Sequence, residues 1–148
     1  MEVKSDFKEL LALLNGHNVE YVIDGALALA FHGAPRYTGD MDVYVRPTRQ
    51  NARRTVTALR EFGFETTGLR QRDFEAPDIV VQLGFLPVRI DRMTSISGVG
   101  WDEVQRGAVA GMYGDVLVRY IGRAQYIANK RVMGRKKDAF DLEALGAG

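Results

Sequence analysis

The chain has 148 residues, enough for one domain with a sizeable core, and its 46% apolar and 26% charged content is that of a globular protein. It has no cysteine, which excludes disulfides and thiolate metal sites, and a formal net charge of +1 gives no global pull toward nucleic acid. No apolar run approaches the roughly 20 residues of a membrane span, and the first residues lack a signal-peptide pattern, so a cytoplasmic protein with no membrane partner is expected.

In chain order, Asp6 to Glu9 has the spacing of a capping box with Asp in its first position. Phe7, Leu10, Leu11 and Leu14 then follow helical spacing to a stop near Asn15-Gly16. Tyr21-Val22-Ile23 reads as a short strand that Gly25 breaks, and Ala26 to Phe31 as a small-residue helix. Pro35 opens a loop into the strand Met41-Asp42-Val43-Tyr44-Val45, whose Met41, Val43 and Val45 face the core while Asp40 and Asp42 share the other side. Thr48 is a good N-cap for a helix through Ala52, Val56 and Leu59, stopped at Gly63. A strand is expected over Phe64 to Thr67, and a strand pair over Asp78 to Leu83 and Pro87 to Met93, joined at Gly84-Phe85.

A short helix from Trp101 to Arg106, a strand at Val116-Leu117-Val118, and two helices, Arg123 to Met133 and Lys136 to Leu145, complete the chain. This mixture of strands and helices gives an α/β or α+β class. A mixed β-sheet with flanking helices and a helical C-terminus is expected. The whole forms a single domain over 1–148, with a core to about 118 and C-terminal helices over about 119–148.

The chemistry concentrates in carboxylates. Asp40 and Asp42 repel one another unless a cation or an arginine neutralises them, and hard divalent ions take oxygen ligands of this kind. Asp91 closes the strand Val88-Arg89-Ile90-Asp91. If that strand lies beside the Asp40/Asp42 strand, three carboxylates converge, a set suited to two-metal phosphoryl or nucleotidyl transfer. The third would then hold one metal and accept a proton from an attacking hydroxyl. The bland alternative pairs each Asp with a nearby arginine.

Gly25-Ala26 is a strand-to-helix turn whose free amides would attract phosphate, or simply a tight structural turn. Arg36 would bind phosphate bidentately or hold the Asp pair, and Thr38 would hydrogen-bond a carboxylate or cap the loop. His32, with His17 the only other histidine, makes no metal set and reads as structural. The run Lys130 to Asp138 is locally basic and would reach a triphosphate or an RNA backbone, or form a solvated helix end.

Together these residues resemble a family. The segment from Tyr21 to Val45, YVIDGALALAFHGAPRYTGDMDVYV, looks like the active-site signature of the DNA polymerase beta-like nucleotidyltransferases. Within them it is closest to small bacterial members related to the abortive-infection, type IV toxin group. Gly25-Ala26 stands for the turn, and Arg36, Thr38, Asp40 and Asp42 for the Arg-x-Thr-x-Asp-x-Asp run. VRIDRMTSISGVGWDEV resembles the strand with the third carboxylate, at Asp91, and IANKRVMGRKKDAFDLEAL the C-terminal motif, with Lys130 and Asp138.

The resemblance implies catalysis by Asp40, Asp42 and Asp91, with two magnesium ions on them and manganese as a substitute. It implies nucleotide binding by Gly25, Ala26, Arg36, Thr38, Lys130 and Asp138. The reaction would carry a nucleoside monophosphate from a nucleoside triphosphate such as ATP to RNA, a protein or a small molecule. The chain departs from the pattern at Ala26, usually Gly or Ser, and Asp24 adds a negative charge beside the turn. Competing readings are a non-catalytic nucleotide sensor or toxin–antitoxin component, and a metal-dependent nuclease. Larger relatives carry an extra domain that binds the acceptor, and here a homodimer partner would supply that wall of the cleft; a toxin–antitoxin partner is the other expected partner.

Overall fold

A computed structural model describes residues 3–35, 40–64, 70–75, 80–85, 88–93 and 99–147, with the backbone alone over the two segments between 80 and 93. Helix α1, Ser5–Gly16, buries Phe7, Leu10, Leu11 and Leu14, the stripe expected from their spacing. It starts before Asp6, with Lys4 at its cap and no side-chain cap bond, so the expected Asp6 to Glu9 capping box does not form. Asp6 instead places its charge in the first turn, where the helix dipole favours it.

Strand β1, Tyr21–Asp24, is buried along its whole length and runs directly into helix α2, Gly25–Phe31. Strand β2, Asp40–Val45, buries Met41, Val43 and Val45 completely and leaves Asp40 and Asp42 half-buried. Helix α3, Arg49–Leu59, is capped by Thr48, whose hydroxyl accepts the Asn51 amide. Helical backbone continues past Leu59 but breaks at Gly63, whose φ of 126° and ψ of 7° lie outside any helix, in line with the stop expected there. Phe64, just after this break, belongs to no strand; the remainder of that expected strand, 65–67, lies outside the described residues.

A 3-10 turn at Gln71–Phe74 precedes the antiparallel pair β3, Val80–Phe85, and β4, Val88–Met93. Gly84 and Phe85 belong to β3 itself, so the join comes later than the sequence suggests. Helix α4, Trp101–Gly107, is followed by the hairpin of β5, Val109–Tyr113, and β6, Val116–Tyr120. Two helices, α5 at Arg123–Met133 and α6 at Lys136–Ala144, end the chain. Gly134 separates them in left-handed backbone at φ 63°, a common glycine C-cap.

The strands form one mixed sheet in the order β3-β4-β2-β1-β6-β5. β1 runs antiparallel to β2 and parallel to β6, while β2 runs parallel to β4. Buried Asn51 fastens the centre: its side chain accepts the Glu20 amide at 2.7 Å and donates to the Glu20 and Arg46 carbonyls at 2.9 and 3.0 Å. It thus ties the entry of β1, the exit of β2 and the first turn of α3. The resulting register places Tyr21 opposite Val45 and Asp24 opposite Asp42. No helix among the described residues is long and apolar enough to cross a membrane.

Candidate active site

The site is set by sheet register. Asp42 has Asp24 of β1 as its partner on one side and Asp91 of β4 on the other. Asp40 lies two residues along the strand, opposite Arg89. The condition on which three carboxylates depend, that the Asp91 strand lies beside the Asp40/Asp42 strand, is therefore met by the backbone. The Asp91 side chain lies outside the described ones, and among the described residues no three metal-ligating side chains gather.

Asp42 and Gly25 fit one another. Gly25 has φ 62°, and a Cβ on it would run into the Asp42 carboxylate. Only glycine allows both the left-handed turn and this close approach. Ala26 follows it, 7% exposed, as the second residue of α2.

Asp24 is the residue that the sequence reading undervalued. It is 2% exposed, and its Oδ1 has no hydrogen-bond partner among the described residues. Burial pushes its pKa above the usual carboxylate range, while the Lys130 charge and the Gly25 N–H pull it back. The repulsion of a triphosphate expected from Asp24 is thus opposed by a cation of the protein itself. Alternation along β1 and pairing with β2 held the signal: Val22 and Asp24 share the face of Tyr44 and Asp42. Trp101 packs edge-on against Tyr44 on that face, with ring centroids 5.1 Å apart.

Lys130, in the last turn of α5, is 9% exposed and so does not belong to a solvated helix end. Its Nζ lies 5.3 Å from the centre of the Tyr126 ring and 4.0 Å from Asp138 Oδ1. Asp138 is fully buried and gripped by Arg135: Nε donates to Oδ2 at 2.7 Å, Nη2 to Oδ1 at 3.1 Å, and the backbone N–H to Oδ2 at 3.1 Å. These bonds, led by the Arg135 side chain, hold its carboxyl below the usual range. Asp138 therefore faces two protein cations, an arrangement that positions Lys130 and closes the start of α6. The neighbouring Lys136 and Lys137 are exposed.

The other candidates separate. Arg36 and Thr38 lie outside the described residues. His32 is structural, its Nε2 sharing a hydrogen bond with the Ile121 carbonyl at 2.7 Å. His17 pairs with Glu61 at 2.6 Å.

The chain is similar to TM1012 of Thermotoga maritima, provisionally described as a nucleotidyltransferase, at 15% identity and a TM-score of 0.63, covering 93% of this chain and 88% of that one. It is also similar to the lincosamide antibiotic adenylyltransferase LnuA, solved with lincomycin bound, at 13% identity and a TM-score of 0.58, covering 99% of both chains. At such identities these likenesses show a shared fold. No curated protein matches the chain significantly. The model of the aminoglycoside-2''-adenylyltransferase family matches residues 6–100, more than half of the chain and the whole span from α1 through β4, and the chain belongs to that family.

Proposed function

We propose that this protein transfers an adenylyl group from ATP to a hydroxyl of a small molecule. The observation that carries the reading is Asp42, seated against Gly25 with Asp91 as its register partner. The family match supports ATP as the donor of the adenylyl group and favours a small acceptor over RNA or a protein. The likeness to an antibiotic adenylyltransferase points the same way.

Asp40 and Asp42 offer oxygen donors only, half-buried and on one face of β2, and this set suits magnesium. They would hold the ion together with Asp91. The bound ion supplies positive charge for the phosphoryl oxygens and the leaving pyrophosphate. The Gly25-Ala26 turn receives the triphosphate, with Arg36 and Thr38, from the sequence that precedes β2, as further ligands. Lys130 adds a fixed ammonium, and Asp138 acts through its hold on Lys130 and Arg135.

The acceptor oxygen forms a bond to the α-phosphorus as the bond to the β-phosphate oxygen breaks. Asp91 takes the hydroxyl proton, and pyrophosphate leaves with the bonding pair. Calorimetric titration of each nucleoside triphosphate with magnesium, on wild type and on the Asp40→Asn/Asp42→Asn variant, tests this. ATP binding that needs magnesium and disappears in the variant is expected; a wild type that binds no nucleotide refutes the proposal.

A further inference from the structure

We infer that the cleft between α4 and the β5–β6 hairpin is a binding site for a small amphipathic acid, a molecule with an apolar body and one anionic group. This site is separate from the carboxylates of β2 and stands whether or not the protein transfers nucleotides.

The cleft has a volume of about 560 Å³, within the range of roughly 300–1,000 Å³ that small-molecule pockets occupy. Sheet register builds it. Ile23 lies opposite Tyr120, so Val22 shares a face with Leu117 and Arg119 of β6, and Ala110 of β5 lies opposite Arg119. Trp101 and Gln105, one turn apart, line the cleft from α4; Ala110, Leu117 and Arg119 line it from the hairpin. Leu117 is 62% exposed, an apolar side chain left to solvent beside buried Val22. A ligand that covers Leu117 removes that apolar area from water.

The polar side chains of the cleft decide what such a ligand carries. Asn15 is spent within the protein: Nδ2 donates to the Leu117 carbonyl at 2.7 Å, and Oδ1 accepts the Tyr21 hydroxyl at 2.9 Å. Glu20 is neutralised by Arg46, whose Nη1 donates to both of its carboxylate oxygens at 3.2 Å. The Arg119 guanidinium and the Gln105 amide have no partner among the described residues. One uncompensated cation and one spare amide thus border an apolar surface. A carboxylate or sulfonate matches the guanidinium fork, while the body attached to it lies against Leu117 and Val22.

Trp101 is the single tryptophan of the chain, so its emission reports on this cleft. The probe is 1-anilinonaphthalene-8-sulfonate, and N-phenyl-1-naphthylamine, the same rings without the sulfonate, is its neutral match. Titration followed at Trp101 is expected to show one saturable site for the sulfonate. The neutral amine should bind about tenfold or more weakly, the cost of losing one charge-assisted contact. Arg119→Gln should lower the affinity for the sulfonate to that for the amine, and Ala110→Phe should fill the cleft and abolish binding of both. Both positions are exposed, so the variants should fold, which melting curves check. Equal binding of the two probes, sulfonate affinity unchanged in Arg119→Gln, or binding with no response from Trp101 overturns the inference. The Asp40→Asn/Asp42→Asn variant should bind the sulfonate as wild type does; loss of binding there would place the probe at the carboxylates and equally overturn it. The titration uses no nucleotide, so a protein that fails to bind magnesium–ATP is a different failure and leaves this site in place.

Discussion

The Asp42 carboxylate rests against Cα of Gly25, in the space a side chain at position 25 would fill. Gly25→Ala therefore meets two penalties. Left-handed backbone costs a non-glycine residue about 1–2 kcal/mol, and the new methyl must push Asp42 from its seat. The variant is expected to lose at least that much stability in urea denaturation. Displacing a ligand-bearing side chain should also weaken magnesium–ATP binding by about tenfold or more. Calorimetry on the folded variant checks this; wild-type affinity would mean that Asp42 does not need its place beside the turn.

Asn51 braces the β1–β2 pair whose register sets Asp24 opposite Asp42. Its side chain satisfies the Glu20 amide, the Glu20 carbonyl and the Arg46 carbonyl at the far end of the β1–β2 pair. Asn51→Ala leaves these groups without that partner and is expected to destabilise the domain by about 3 kcal/mol. The midpoint of urea unfolding measures it, and a loss below about 1 kcal/mol would show that water replaces the amide.

Much of this arrangement could be read from the residues. Helices with apolar stripes or clear punctuation, such as α1 with its four buried side chains and α5 before Gly134, lie where their spacing puts them. The face of β2 that carries Asp40 and Asp42 follows from simple alternation. The strand β5 was not legible, because Val109-Ala110-Gly111-Met112-Tyr113 carries small residues and sits at the sheet edge, where burial imposes no strong pattern.

The burial of Lys130 and Asp24 was equally hidden. Local sequence shows a basic helix end and an acidic turn, and only the tertiary packing buries both side chains. The superfamily and fold expected from the motifs stand, whereas the membership in the aminoglycoside-2''-adenylyltransferase family came from the whole span of residues 6–100.

Acid should loosen the C-terminal helices first. Arg135 bonds hold the Asp138 carboxyl below its ordinary pKa of 3.8 in the folded protein. The unfolded chain therefore binds this proton more readily. The stability that Asp138 contributes is present above its unfolded pKa and is lost as pH falls through the lowered folded value. Urea midpoints between pH 7 and pH 2.5 should fall more steeply for wild type than for Asp138→Asn, with the two curves converging at the acid end. Parallel curves would mean that the Arg135 contact contributes nothing in solution.

Magnesium should stabilise the protein even without nucleotide. Asp40 and Asp42 project from one face of β2, with Asp24 and Asp91 as the neighbours of Asp42 in the sheet register, so negative charge accumulates there. An ion that binds only the folded state adds stability by mass action, about 1.4 kcal/mol at ten times its dissociation constant. For a domain of this size that raises the melting temperature by about 3–6 °C. The Asp40→Asn/Asp42→Asn variant should melt higher than metal-free wild type, because the repulsion is relieved, and should not respond to magnesium. Chelation with EDTA should return wild type to its lower value. A wild-type melting temperature that stays fixed from chelator to tens of millimolar magnesium would remove the metal from the site and leave the carboxylates without their proposed partner.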